Sequence, residues 1–171
     1  VPDNNFEQAL IDLGYDDYLD DYVYTDSINT VTSLNVSSKS ISNLTGIEDF
    51  TALSILYCYN NPSLSNLDLN QNTALTKLRC YNTSINVLDL SNNTSLIQLM
   101  CHNSHVNTVV FGANTVLEYI RCYNARITTL AFIGMLKEVG TWYRPNGRLS
   151  AVEVTTIYQE MVVDFLGVKK S

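Results

Sequence analysis

Four cysteines, two histidines, a run of carboxylates and a set of tyrosines and arginines are the side chains here with chemistry to offer. Cys58, Cys80, Cys101 and Cys122 recur at intervals of 22, 21 and 21 residues. Zinc ligands usually come in pairs about two to four residues apart, so this spacing argues against a metal centre. No metal and no cofactor is expected. The even interval fits a column of free thiols buried as small hydrophobes. Neighbouring thiols would come near disulfide range, but in-register side chains on parallel strands point the same way. A disulfide needs a dihedral near ~90°. Thiols held inward are poor nucleophiles, because the reactive form is the thiolate. His102 and His105 are the only histidines, and no Ser-His-Asp or Cys-His set can be read around them. A lone histidine on a repeat strand is ordinarily a surface side chain. The run Asp16-Asp17-Tyr18-Leu19-Asp20-Asp21 lacks the alternating acids and closing Glu of a calcium loop, and reads as solvated surface. Asp68 and Asp89 occupy one repeat position, which marks them as structural. No catalytic constellation emerges, and the chain is not expected to be an enzyme.

The elements that position these residues are set by an internal repeat. The pattern L-x-x-L-x-C-x-x-N fits Leu53, Leu56, Cys58 and Asn61. It returns at Leu75, Leu78, Cys80 and Thr83, at Leu96, Leu99, Cys101 and Ser104, and at Leu117, Ile120, Cys122 and Ala125. An earlier copy runs through Val31, Leu34, Val36 and Lys39, and a degraded last one through Leu136, Val139 and Thr141. A second half-pattern lies between them: Leu64, Leu67, Leu69 and Asn72, then Ile85, Leu88, Leu90 and Asn93, then Val106, Val109, Phe111 and Asn114, then Ile127, Leu130 and Phe132. The alternation inside each half is that of a short strand with one face inward. One coil cannot bury its apolar ridge alone, and stacked coils bury a continuous core. The asparagine after each strand is expected to turn inward and bond backbone groups at the bend, forming a ladder.

Over residues 31–145 this pattern resembles the leucine-rich repeat family. The double repeat with Leu67-Asp68-Leu69 and Leu88-Asp89-Leu90 looks like the bacterial class called IRREKO, and the stretch Ile41 to Leu53 looks internalin-like. The opening from Val1 to Asp17, followed by Cys-bearing repeats, is similar to secreted leucine-rich repeat proteins of Bacteroidota. The resemblance implies a right-handed solenoid of short parallel β-strands, mostly β and loop, with an α-helical cap at each end. It implies binding rather than catalysis.

A single domain is expected over 1–171: an N-terminal cap (1–30), repeats (31–145) and a C-terminal helical cap (146–171). In the first cap, Asp3 or Asn4 is the N-cap of a helix burying Phe6, Ala9, Leu10 and Leu13, with Gly14 past its end. In the last, Ser150 and Glu153 form a capping box, with Val154, Ile157, Tyr158, Met161 and Phe165 as the buried stripe. Charge is only 16% of the 171 residues, and Asn, Ser and Thr supply the polarity. Residues 1–26 hold eight acids and no Lys or Arg, while the rest of the chain carries a net +1. The lack of a dense basic stripe argues against nucleic acid. The longest apolar stretch, Leu130 to Leu136, falls far short of the roughly 20 residues of a membrane span, so no membrane insertion is expected. Val1-Pro2 fits a mature N-terminus left after removal of a signal peptide. Together with the family resemblance, this points to a secreted or cell-surface protein, with a monomer favoured.

The informative positions are the outward ones. Position 7 of the Cys-bearing half gives Tyr59, Tyr81, His102, Tyr123 and Trp142; position 5 gives Tyr57, Arg79, Met100 and Arg121; position 3 includes Tyr119. The same columns of the other half are small and polar. Rows of exposed aromatics mark binding surfaces more often than scattered ones do, and Tyr, Trp and Arg are enriched at hot spots. The expected ligand-binding face is therefore Tyr57, Tyr59, Arg79, Tyr81, His102, Tyr119, Arg121, Tyr123 and Trp142. The expected function is a non-enzymatic recognition or adhesion module for a protein or glycan. The alternative is a structural spacer or surface-layer element with no ligand, its rings and arginines stacked merely to cover the sheet.

Overall fold

A computed structural model describes residues 1–114 and 116–125, and the backbone of 129–132. Helix α1 (Asn4–Asp12) opens the chain, with Asp3 as its N-cap. Phe6, Ala9 and Leu10 face the core. Leu13 does not, and is 45% exposed. It is the C-cap, one residue past the helical stripe, and Gly14 at φ 78° then reverses the chain. A short helix α2 (Thr25–Ile28) buries Ile28 and leads into the repeats.

The first halves of the repeats supply β1 (Ser33–Asn35), β2 (Ile55–Tyr57), β3 (Lys77–Arg79), β5 (Gln98–Met100) and β7 (Tyr119–Arg121). They form one parallel sheet in the order β1-β2-β3-β5-β7. Its register places Leu34, Leu56, Leu78, Leu99 and Ile120 in one inward row. The second halves supply β4 (Val87–Leu90), β6 (Thr108–Phe111) and β8 (Thr129–Phe132), a three-stranded parallel sheet. Inward residues of the two sheets join in one buried cluster. The fold is a leucine-rich repeat solenoid with little helix. The proposed C-terminal cap helix lies outside the described residues.

Close approach of coils constrains one glycine. A Cβ on Gly112 would meet the Ser91 carbonyl oxygen at 1.9 Å, so only glycine lets the chain leave β6 along this path.

The bends are held by side chains, as the asparagine pattern predicts. Asn72 donates to the carbonyls of Ile47 and Phe50, Asn93 to Leu69 and Asn72, and Asn114 to Asn93 and Leu96. Each joins its own coil to the one before. On the Cys-bearing side Asn61 donates to Val36 and Cys58 and accepts from the Lys39 and Ile41 amides. The next two coils replace it with hydroxyls, Thr83 bonding the Cys80 carbonyl and Ser104 the Cys101 carbonyl. Asp68 and Asp89 each accept the amide two residues on, at 3.0 Å, which fits a turn-stabilising role.

Candidate binding face

The outward face of the five-stranded sheet is built by register. Tyr57, Arg79, Met100 and Arg121 stand side by side along β2, β3, β5 and β7, and Tyr119 stands beside Gln98. Backbone pairing continues past each strand. The Cys58, Cys80 and Cys101 amides donate to the carbonyls of Arg79, Met100 and Arg121. The Asn60, Asn82 and Asn103 amides donate to Tyr81, His102 and Tyr123. This carries position 7 across the solenoid at the strand spacing of about 4.8 Å, close to the preferred separation of stacked rings.

The rings take up that spacing. Tyr59 and Tyr81 stack at 4.4 Å and 9°, Tyr81 and His102 at 4.4 Å and 16°, and His102 and Tyr123 at 4.7 Å and 23°. Tyr57 leans on Tyr59 at 6.4 Å and 48°. The Arg79 guanidinium lies 4.6 Å from the Tyr57 ring centre. That of Arg121 lies 4.9 Å from the Tyr123 ring and donates to its hydroxyl at 3.1 Å. Tyr57, Tyr59, Arg79, Tyr81, His102, Arg121 and Tyr123 thus form one continuous surface. Tyr119 is 40% exposed beside it. Trp142 lies outside the described residues.

His102 departs from the surface histidine expected of it: it is 6% exposed, sandwiched between Tyr81 and Tyr123. Burial lowers its pKa below the ordinary histidine value, and the Arg121 charge adds to this. Its folded-state affinity for a proton is therefore weaker than in the unfolded chain. The neutral ring's contribution is complete above the unfolded value, near ~6.5, and falls as pH drops through that value towards the folded one. The melting temperature of the parent is expected to fall between pH 7.5 and 5 more steeply than that of His102→Tyr, which keeps the stack and removes the titration. Parallel slopes for the two in thermal unfolding would refute this.

Sequence reading missed the residues after the rings. Ser38, Asn60, Asn82, Asn103 and Asn124 all have φ between 50° and 58°. The left-handed turn ends each strand, and asparagine tolerates it best among residues with a side chain. Their amides link the coils: Asn82 donates to Asn60 at 2.6 Å, and Asn124 to Asn103 at 2.9 Å. The signal was present as Asn in four successive repeats at position 8.

Inside the same strands the thiols are free, with Cys58, Cys80 and Cys101 buried and Cys122 half-buried. Burial pushes the Cys58 thiol up to about 12 and Cys122 to about 11, and raises Cys80 and Cys101 well above the usual range. They are packing groups rather than nucleophiles. Iodoacetamide at neutral pH should label Cys122 first and leave the other three until the chain is denatured. Labelling of all four at one rate in native protein would contradict the buried column. Among the described residues no three His, Cys, Asp or Glu side chains are grouped to hold a metal ion.

Two stacked parallel sheets, asparagine ladders at the bends and a thiol column define the class: a leucine-rich repeat solenoid. Internalin J of Listeria monocytogenes is 38% identical over 73 residues, which is 42% of this chain and 8% of that protein. A solved structure described as the functional domain of that internalin, including a cysteine ladder, matches at TM-score 0.62 and 33% identity. The match covers 75% of this chain and 28% of that one. Internalin F of Listeria monocytogenes matches in fold at TM-score 0.58 and 20% identity, over 74% of this chain and 44% of that one. The chain thus spans only a small part of the internalin J sequence it matches. A family model described as the tetracyclin repressor-like C-terminal domain matches residues 92–166. That is under half of the chain, and the described part of the stretch contains β5 to β8 of the solenoid.

Proposed function

We propose that this chain is a non-enzymatic, secreted or cell-surface recognition module, and that its aromatic and arginine face binds a protein or glycan ligand. One observation carries the reading. Four rings stacked in sheet register are flanked by two guanidinium groups on one face, while the described outward side chains of the other sheet, Val87, Asp89, Thr108 and Val110, include no ring and no cation. The likeness to internalin J supports a binding role, since its solved domain shares both the solenoid and a cysteine ladder. The stack is a flat, rigid, amphipathic strip with little entropy left to lose on binding. Sugar rings or a planar peptide backbone fit such a strip, and the remaining guanidinium donors suit carboxylate or carbonyl oxygens.

A second reading is a structural spacer. The rings stack on one another and each arginine covers a tyrosine, so the face is also satisfied within itself. A glycan and extracellular-protein array probed with the parent and with Tyr81→Ala/Arg121→Ala separates the two. The recognition reading expects ligands whose affinity falls about tenfold or more in the variant. Ligands held equally by both proteins would place binding elsewhere, and an array without ligands would favour the spacer.

A further inference from the structure

Five of the large hydrophobic side chains that stand exposed fall within twelve residues of the N-terminal segment: Leu13, Tyr18, Leu19, Tyr22 and Tyr24. The three tyrosines are 68%, 79% and 81% exposed. Exposure on this scale is usual for a floppy loop, but this loop is anchored. Tyr15 and Val23 pack against the core on either side of it. The Asp20 amide donates to the buried Glu7 carboxylate at 2.9 Å. The Val1 nitrogen donates to the Asp21 carbonyl at 2.8 Å, and the Tyr22 amide to the Asp20 carboxylate at 3.0 Å. The inward residues are thus spent on the core, and the outward tyrosines are held away from it.

The side chains of this segment carry charge of one sign, and its one positive group is the Val1 ammonium on the Asp21 carbonyl. Residues 1–26 contain no Lys or Arg, and among the described residues the ion pair to this segment is Lys39 with Asp12 at 2.8 Å, with Asp16, Asp17, Asp20, Asp21 and Asp26 outside any ion pair there. An apolar partner would have to desolvate these carboxylates, and an acidic one would be repelled. A guanidinium satisfies both features at once, its plane on a tyrosine ring and its fork on a carboxylate. We infer that the tyrosine and aspartate surface at residues 17–24 is a second interaction site, separate from the stacked-ring face, and that its partner is an extended arginine-rich segment of another protein. Tyr18, Tyr22 and Tyr24 supply the rings, and Asp17 and Asp21 the carboxylates.

The test uses the full chain and a fluorescein-labelled peptide of alternating arginine and glycine at ~0.15 M salt, read by fluorescence anisotropy. Tyr18→Ala/Tyr22→Ala/Tyr24→Ala is expected to weaken binding about tenfold, as the loss of several exposed cation–π contacts. Asp17→Asn/Asp21→Asn keeps every ring and is expected to weaken it severalfold. The lysine analogue of the peptide should bind more weakly than the arginine peptide. Tyr81→Ala/Arg121→Ala, in the stacked-ring face, should bind the peptide like the parent, so this site stands or falls apart from the function proposed above. Three results would overturn the inference: no peptide binding by the parent, an undiminished affinity in either loop variant, or a lysine peptide bound as tightly as the arginine one.

Discussion

Asn93→Ala is expected to lower the unfolding free energy by about 2–3 kcal/mol, a large share of what a domain of this size has. Asn93 is 1% exposed, and its side-chain nitrogen donates to the carbonyls of Leu69 at 3.0 Å and Asn72 at 2.9 Å. Its own carbonyl accepts from the Leu96 amide and from the Asn114 side chain, so one residue ties three successive bends together. Alanine would remove two buried bonds that join the coils and leave a small void, while the Leu69 and Asn72 carbonyls keep only the bonds from the Asn72 and Leu75 amides. Neighbour-to-neighbour coupling carries much of a solenoid's stability, so the damage spreads beyond one bend. Urea denaturation checks this; a midpoint like the parent's would mean that the ladder contributes nothing.

Asp3→Ala is expected to cost a similar ~2–4 kcal/mol, in two ways at once. One carboxylate oxygen caps α1 by accepting the Asn5 and Phe6 amides, both at 3.0 Å. The other accepts the Ser42 amide at 2.8 Å, its hydroxyl at 2.6 Å and the Asn43 amide at 2.9 Å. The residue thus caps the helix and pins it to the loop of the first repeat. Asp3→Asn should be destabilising too, because its amide group would face three donors where an acceptor is needed. Burial alone would raise the Asp3 pKa, but the bonds from Ser42, Phe6 and Asn43 outweigh it and hold the carboxyl below its usual value. The unfolded chain therefore takes up this proton first on acidification. The stabilisation is complete above the unfolded value, near ~4, and is lost as pH falls through the folded one. The stability gap between parent and Asp3→Ala should narrow below pH ~4; a gap constant with pH would contradict it.

Much of this architecture was legible because the repeat writes each residue several times over. Leu56, Leu78 and Leu99 fall in one inward row because a period of 21 or 22 residues leaves little choice once the coils stack. The stacked column was readable for the same reason, since Tyr59, Tyr81, His102 and Tyr123 share a repeat position. Other features resist reading because they depend on contacts between coils. Nothing in the type of His102 indicates that its neighbours would close over it. The second sheet gathers β4, β6 and β8, while Leu67 and Leu69 of the earlier coil pack inward without entering it. Alternation alone does not distinguish a paired strand from an extended segment. The dual role of Asp3 lay beyond reach as well, because Ser42 and Asn43 are about forty positions away and only the folded chain brings them together.

The proposed seat of recognition is the ring and arginine face. The most direct measurement is the affinity of one array-identified ligand for the parent, for Tyr81→Ala/Arg121→Ala, and for Val87→Ala/Asp89→Asn on the other sheet, with circular dichroism verifying each fold. Affinity is expected to fall about tenfold or more in the first variant and to stay parental in the second. Equal affinities for all three, or a loss confined to the Val87 and Asp89 variant, would contradict it.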